Sequence, residues 1–313
     1  MFKKVILHVG HGKTGSSSIQ RCMRLKEEEF KSCGFQVLMP KKRNVHHLLR
    51  SAFQNREGES LKIIREGIRR CREFDTLIIS SENIVAYSRE DLLFMKDFLS
   101  SFCSDIHLLL YLRHPYTHSV SLCQTLVKNG QHTLNEFVKN PFVFRARDQI
   151  EKLESVFDRH KFKFAIFDSS LLYQGDVVSD FVVNVGIPQQ ETRQFQVDPI
   201  NESLSMEAVL FADYVYTHYS VARHNDEFKS FLQRIEGGKF TLPVDVLEKV
   251  KIKAKPHLEW LRDNYNIKFP DVSLDMYSGH ALPDMRSEFY TEMLVTLNND
   301  LSIKISETDR RVV

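Results

Sequence analysis

A run of glycines, hydroxyl side chains and one lysine follows the first strand-like segment of the chain. After Val5–Val9 the sequence reads GHGKTGSSS over residues 10–18. Glycines let a backbone turn tightly and approach a ligand, and the amides at the start of a helix attract anions. Lys13 adds a mobile positive charge. Four hydroxyl side chains add further donors: Thr14, Ser16, Ser17 and Ser18. Because an ordinary helix cap needs only one such side chain, the loop predicts an anion-binding site.

The spacing of this loop differs from that of the loops that bind nucleoside triphosphates. Those loops read G-x-x-x-x-G-K-[ST]. Gly12-Lys13-Thr14 matches their last part, whereas the first glycine would fall on Leu7. The third strand-like segment ends in Ser80-Ser81-Glu82, without the aspartate that commonly holds magnesium there. Both departures disfavour an enzyme that uses ATP or GTP.

A second polar cluster, YLRHPYTHSVSL, lies about 100 residues further along the chain. Arg113 follows the apolar run IHLLLYL and precedes His114-Pro115, which places it at the carboxyl edge of a predicted sheet. A guanidinium suits bidentate binding of phosphate. Ser121 follows about two turns into the next predicted helix. The alternative for Arg113 is an arginine held in a structural ion pair.

Together the two segments resemble the sulfotransferases that use 3′-phosphoadenosine-5′-phosphosulfate (PAPS). HVGHGKTGSSSIQ is similar to the family's loop for the 5′-phosphosulfate, and Arg113, Pro115 and Ser121 match its second signature. Weaker similarity in FDSSLLYQGDVVSDFVVNVGIP and NESLS extends the resemblance over roughly residues 3–210. Ser16 and Ser17 stand where threonine is frequent in the family, and both keep a hydroxyl group.

The resemblance implies which residues bind the donor and what chemistry follows. Arg113 and Ser121 would bind the 3′-phosphate. The residues implied at the 5′-phosphosulfate are Gly12, Lys13, Thr14, Gly15, Ser16, Ser17 and Ser18. Transfer is an in-line displacement in which positioning and charge stabilisation do most of the work. Lys13 would stabilise the leaving oxygen in place of a metal, and the product would be 3′,5′-adenosine bisphosphate.

An acceptor hydroxyl also needs a general base. Glu82, at the tip of the third strand, is one candidate. His46 and His47, where the chain leaves the second strand and begins a helix, are the others, and only one of them can point inward. Members of the family use either histidine or glutamate, so the resemblance does not choose between them.

The function expected from these residues is transfer of a sulfuryl group from PAPS to an acceptor hydroxyl. The resemblance implies a carbohydrate acceptor, which makes a glycan the expected partner. One alternative is a P-loop kinase of a small metabolite that uses Mg·ATP. A second is a catalytically inactive protein that keeps the PAPS pocket.

Strand-like and helical segments alternate over the first 200 residues, which predicts a three-layer α/β fold around a parallel sheet. The predicted strands are Val5–Val9, Phe35–Met39, Thr76–Ser80, Ile106–Leu112 and Phe162–Phe167. The predicted helices are Ser17–Ser32, His46–Phe53, Leu61–Arg72, Tyr116–Lys128, Ser203–Ser220, Asp226–Ile235, Val244–Tyr265 and Met285–Leu297. Ile267–Phe269 hints at one more strand. We expect a single domain over residues 1–313, with a nucleotide-binding core at 1–200 and a mainly helical part at 201–313.

The composition is that of an ordinary globular protein and excludes several classes of function. A net charge of +2 gives no overall field for nucleic acid or a membrane surface. The five cysteines are odd in number and lack paired spacing, which favours reduced thiols and a cytoplasmic setting. The sequence predicts neither a signal peptide nor a membrane span.

Overall fold

The computed structural model describes residues 2–39, 44–69, 74–103, 105–198, 203–219, 225–272 and 287–300. The chain divides into two compact units. The first, here called the sheet unit, contains Met1–His114 and Arg145–Ile200, and the second, the helical unit, contains Pro115–Phe144 and Asn201–Val313. The boundary expected between residues 200 and 201 lies outside the described residues. That the chain behaves as one domain stays a prediction.

The sheet unit is built on five parallel strands in the order β2-β3-β1-β4-β5. The strands are β1 Lys4–His8, β2 Phe35–Val37, β3 Thr76–Ser80, β4 Ile106–Leu112 and β5 Phe162–Ile166. β1 lies between β3 and β4, and His8 is in register with Ser80 on one side and Leu109 on the other. The segments that follow these three strands therefore leave the sheet at the same edge.

The described residues also form thirteen α-helices. They are α1 Ser16–Leu25, α2 Glu27–Ser32, α3 Val45–Phe53, α4 Gly58–Arg69, α5 Arg89–Ser100, α6 Pro115–Lys128, α7 Leu134–Lys139, α8 Ala146–Glu154, α9 Val177–Val185, α10 Met206–His218, α11 Asp226–Leu232, α12 Val244–Tyr265 and α13 Ser287–Asp300. In the part of the chain that the structure describes, no helix combines the length and apolar composition that crossing a bilayer requires.

Both faces of the sheet are buried, as expected for a parallel sheet between helices. On one face Ile6, Ile78 and Leu109 join a core cluster with residues of α1, α2 and α9. On the other face Leu7 and Ile79 are likewise buried, because successive side chains of a strand point to opposite faces. The predicted α/β architecture with a central parallel sheet is confirmed.

The helical unit contains α6, α7 and α10 to α13. Its core gathers aromatic and aliphatic side chains around Phe211, which is fully buried. Polar contacts tie its segments together: the Gln124 side-chain amide donates to the Leu204 carbonyl at 2.8 Å. The mainly helical character expected for residues 201–313 is confirmed over their described part.

Several predicted boundaries are confirmed and others are wrong. β3, β4 and α12 begin and end at the predicted residues. The single helix predicted over Ser17–Ser32 is wrong because Lys26 leaves helical geometry, with φ −115° and ψ 28°. Three glutamates follow it in the first turn of α2, where the positive end of a new helix dipole stabilises them.

The strand suggested at Ile267–Phe269 is also wrong. Asn266 ends α12 in the left-handed conformation, with φ 54°, and the residues after it have no regular structure as far as residue 272. The described elements of the helical unit are helices, so they offer this segment no strand with which to pair.

Candidate functional site

The loop between β1 and α1 has a backbone shape suited to an anion. Lys13 and Gly15 have positive φ values of 69° and 78°, and left-handed residues in such a loop turn successive amides toward a common point. The Thr14 hydroxyl is buried and donates to the His11 carbonyl at 2.5 Å. This hydrogen bond stabilises the loop internally, so the Thr14 hydroxyl proton is already used within the loop.

The first turn of α1 presents backbone N–H groups at the end of the loop. Gly15 occupies the N-cap position of α1 and has no side chain with which to cap it. The amides of the first turn lack partners within the helix, and their partial positive charge attracts an anion. Ser17 is exposed and Ser18 half-buried on this turn, so both hydroxyls are accessible beside the amides.

Gly15 has no room for a side chain. A Cβ at this position would stand 2.9 Å from Phe167 Cε2 and 2.9 Å from Val177 Cγ1. The positive φ would strain any other residue as well. Gly12, by contrast, has open space where a Cβ would lie. At Gly15 the loop therefore packs closely against the residue after β5, Phe167, and the first residue of α9, Val177.

Arg113 brings the second sequence motif into contact with the first. Its Nη1 donates to the Lys13 carbonyl oxygen at 2.7 Å across a separation of 100 residues. The guanidinium carbon also lies 5.3 Å from the centre of the Phe167 ring, over its face. Arg113 is half-buried, and its guanidinium lies beside the loop at the edge of the sheet.

Glu82 lies against the same loop from the other side. It follows β3 as the first residue of a 3₁₀ turn, Glu82–Ala86. The Ser16 hydroxyl donates to Glu82 Oε2 at 2.5 Å. A Cβ at Gly10 would lie 3.5 Å from Glu82 Cβ. The half-buried carboxylate therefore stands at the N-terminus of α1, next to the predicted anion site.

His46 and His47 point in different directions from the start of α3. Asn44 caps this helix by accepting from the His46 amide at 2.8 Å. His46 is half-buried, with Nδ1 at 2.7 Å from the Ser81 hydroxyl and Nε2 at 3.1 Å from Gln20 Oε1. His47 is exposed. Of the two histidines, His46 alone faces the strand ends.

The contacts of His46 determine where its proton resides. Gln20 Oε1 can only accept, so Nε2 carries a hydrogen, and a neutral ring then accepts at Nδ1 from the Ser81 hydroxyl. Burial lowers the pKa of His46, although the Glu82 carboxylate opposes this shift. His46 is consequently neutral at pH 7, and its lone pair is directed to Ser81.

His8 extends this polar network beneath the loop. Its Nδ1 lies 2.8 Å from the Ser80 hydroxyl, which also accepts from the Gln20 amide at 3.4 Å. Burial lowers the pKa of His8 to about 3. Among the described residues its Nε2 has no hydrogen-bond partner, and it lies 3.7 Å from the place of a Cβ on Gly10. An orphaned buried nitrogen thus faces the inner side of the loop.

Ser121 belongs to α6 and therefore to the helical unit. It is half-buried, and its carbonyl accepts from the Thr125 hydroxyl at 2.9 Å. Its expected part in binding the 3′-phosphate stays a prediction.

Four residues of this site were not predicted: Gln20, Ser80 and Ser81 as hydrogen-bonding partners, and Phe167 as the ring beneath Arg113. Ser80 and Ser81 were visible as a polar strand tip, but their partners depend on β3 lying beside β1. Gln20 lies one turn into α1, and nothing in the sequence around it indicates a role in the site. Its role becomes clear only from its contact with His46. Phe167 looks like an ordinary strand residue in sequence.

Comparisons with known proteins match no family model and no curated protein. Among solved structures, a sulfotransferase from Alicyclobacillus acidocaldarius is 16% identical with a TM-score of 0.48, and the alignment covers 86% of this chain and 98% of that one. The sulfotransferase domain from the curacin biosynthetic pathway is 11% identical with a TM-score of 0.36, covering 81% of this chain and 97% of that one.

The residues present fit a phosphorylated nucleotide donor. The α1 amides and exposed hydroxyls suit a 5′-phosphosulfate, the orphaned His8 nitrogen lies behind the same loop, and Arg113 provides a fixed cation beside it.

Proposed function

We propose that this protein is a PAPS-dependent sulfotransferase. The observation that carries the proposal is the 2.7 Å hydrogen bond from Arg113 to the Lys13 carbonyl. It joins the two segments that resemble the family's donor-binding signatures. Since the second signature is associated with a 3′-phosphate, which ATP and GTP lack, the position of Arg113 beside the Lys13 loop supports PAPS over these nucleotides.

The local contacts support this donor over Mg·ATP. In P-loop enzymes the hydroxyl that follows the lysine binds magnesium. The corresponding Thr14 hydroxyl is buried here and donates to the His11 carbonyl. At the tip of β3, Ser80 is engaged by His8 and Gln20. Because Thr14 is fully buried, its oxygen would have to become exposed before it could bind a metal, whereas a metal-independent donor needs no such rearrangement.

In the proposed reaction the donor supplies a sulfuryl group bound to its 5′-phosphate. The amides and hydroxyls at the start of α1 hold the 5′-phosphate, and Lys13 stabilises negative charge on the leaving oxygen. Arg113 holds the 3′-phosphate, and a contribution from Ser121 stays a prediction. The role of Ser121 rests on its place in the second motif.

Glu82 is the proposed general base. Its carboxylate stands at the N-terminus of α1, beside the loop, and accepts one hydrogen bond, from Ser16, among the described residues. His46 is less suited because both of its ring nitrogens are engaged, and His47 is exposed. Glu82→Gln should lower kcat about 10²–10⁴-fold, as loss of a general base does. Undiminished turnover in that variant would remove Glu82 from this role.

The acceptor is proposed to be a carbohydrate hydroxyl, which rests on the resemblance alone. A cytoplasmic setting is proposed with it. Four cysteines, Cys22, Cys33, Cys103 and Cys123, are free thiols, which supports a reducing compartment.

Thermal unfolding of the purified chain tests the donor. We expect 3′,5′-adenosine bisphosphate without magnesium to stabilise it, by about 2.7 kcal/mol at 100 times the dissociation constant. Stabilisation by Mg·ATP alone would favour the kinase alternative. Bisphosphate binding with no transfer to any acceptor hydroxyl, and no change in Lys13→Ala, would favour an inactive PAPS-binding protein.

A further inference from the structure

The Ser16–Glu82 hydrogen bond places an acidic side chain where the donor's phosphate is proposed to bind. Ser16 is the first residue of α1 and is 5% exposed. Its hydroxyl donates to Glu82 Oε2 at 2.5 Å. Negative charge at a helix N-terminus is stabilised by the helix dipole. The partial positive charge of the α1 amides therefore stabilises the Glu82 carboxylate, and the same charge would attract a phosphate.

We propose that Glu82 is an internal competitor of the donor: its carboxylate holds the Ser16 hydroxyl in the free chain, and a bound 5′-phosphate must take that hydroxyl from it. This inference rests on the proposed function. A hydroxyl has one proton to donate, so it cannot serve both anions. Two negative groups at one helix N-terminus also repel each other, which adds to the competition.

A second feature of this part of the loop is a buried polar atom without a hydrogen-bond partner among the described residues. His8 is fully buried, and its Nε2 has no hydrogen-bond partner among the described residues. A Cβ placed on Gly10 would lie 3.7 Å from that nitrogen and 3.5 Å from Glu82 Cβ. The orphaned nitrogen and the base of the Glu82 side chain thus both lie close to Gly10.

The competition gives Glu82 two states: hydrogen-bonded to Ser16 in the free chain, and displaced from Ser16 when the donor is bound. Bound to Ser16, the carboxylate has one lone pair of Oε2 occupied and is therefore a weaker base toward a substrate hydroxyl. Donor binding at the α1 amides displaces it and leaves both oxygens available. The base is thereby strengthened when the donor is in place, and the donor binds the free chain less tightly as a result.

Titration of the full-length chain with 3′,5′-adenosine bisphosphate tests this inference. Glu82→Gln removes the charge and keeps the shape, so it should bind the bisphosphate about tenfold more tightly, as expected for loss of a competing charged hydrogen bond. Glu57→Gln is the matched control, because Ser60 donates to Glu57 Oε2 at 2.7 Å in the same unit, at the start of α4 rather than of α1. Its affinity should equal that of the wild type.

The outcomes separate this inference from the proposed function. Equal or weaker binding by Glu82→Gln, with a wild type that binds, would overturn the competition and leave the donor site intact. Absence of binding to the wild type and to Glu82→Gln would overturn both. If Glu82→Gln does not fold, Ser16→Ala is tested in its place. Affinity for the bisphosphate within about threefold of the wild type supports the competition. The variant loses the hydroxyl's contact with the phosphate, but it no longer has to break the Ser16–Glu82 hydrogen bond. A loss beyond about threefold would refute it.

Discussion

Replacement of Arg113 by alanine separates two effects of this side chain on ligand binding. The guanidinium holds the Lys13 carbonyl at 2.7 Å, and we propose that it also binds the 3′-phosphate. Loss of the first contact affects any ligand that uses the loop. Loss of the second affects only ligands that carry a 3′-phosphate. Comparing 3′,5′-adenosine bisphosphate with 5′-AMP, which lacks that phosphate, therefore isolates the second effect.

The two losses should differ in size. A hydrogen bond to a charged phosphate contributes about 1.5–3 kcal/mol, whereas a typical bond to a neutral carbonyl contributes about 1 kcal/mol. Arg113→Ala should thus weaken 5′-AMP binding about fivefold, through the loop alone. It should weaken bisphosphate binding by a further factor of about 10–150. The preference for the bisphosphate over 5′-AMP should fall by that second factor.

Calorimetric titration of both nucleotides against the purified variant gives the two dissociation constants. Arg21→Ala is a suitable control, because Arg21 Nη1 likewise donates to a backbone carbonyl of the sheet unit, that of Asp198, at 3.2 Å. It should leave both constants unchanged. A bisphosphate preference that survives in Arg113→Ala would refute the assignment of the 3′-phosphate to this arginine. Equal weakening of both ligands would restrict Arg113 to positioning the loop.

Two further predictions concern stability. Gly15→Ala should lower the free energy of unfolding by about 1–3 kcal/mol more than Gly34→Ala does. Both glycines have positive φ, but a Cβ at Gly34 would meet open space, whereas one at Gly15 would meet Phe167 and Val177. Urea denaturation measures the difference, and equal losses would contradict the close packing at Gly15. Burial lowers the pKa of His8 from 6.5 to about 3, so its unfolded form takes up a proton below pH 6.5 that the folded form does not. Stability should therefore fall as the pH drops from 6.5 toward 3, by up to about 2 kcal/mol at pH 5. His8→Gln should flatten this dependence, and His47→Gln, at an exposed position, should not.

The sheet and much of its surroundings could be predicted from sequence because the signals are local. β3 and β4 are short, nearly continuous apolar runs, TLIIS and IHLLLYL, with polar residues at their carboxyl ends. Such runs are typical of strands buried on both faces. α5 and α8, in contrast, lie in stretches for which no helix is predicted, although α5 begins with a capping box at Ser88 and Asp91. A capping box is itself a local signal.

The loop could be recognised from sequence, but its contacts could not. The glycines and hydroxyl groups of residues 10–18 indicate an anion site by their composition. The bond between Ser16 and Glu82 spans 66 residues, and it depends on β3 lying beside β1. Likewise, nothing in the pair His46-His47 indicates which ring faces inward until Gln20 and Ser81 are placed around it.

The hydrogen bond between Arg113 and Lys13 also bears on when the site is made. It spans 100 residues, across a sheet in which β1 must acquire β3 on one side and β4 on the other. Chains emerge from the ribosome with their amino end first, and contacts between distant residues form late in folding. A growing chain thus has its anion loop long before it has the arginine. The proposed discrimination between a PAPS-like donor and a plain nucleotide is accordingly acquired after β4, at a late stage of assembly.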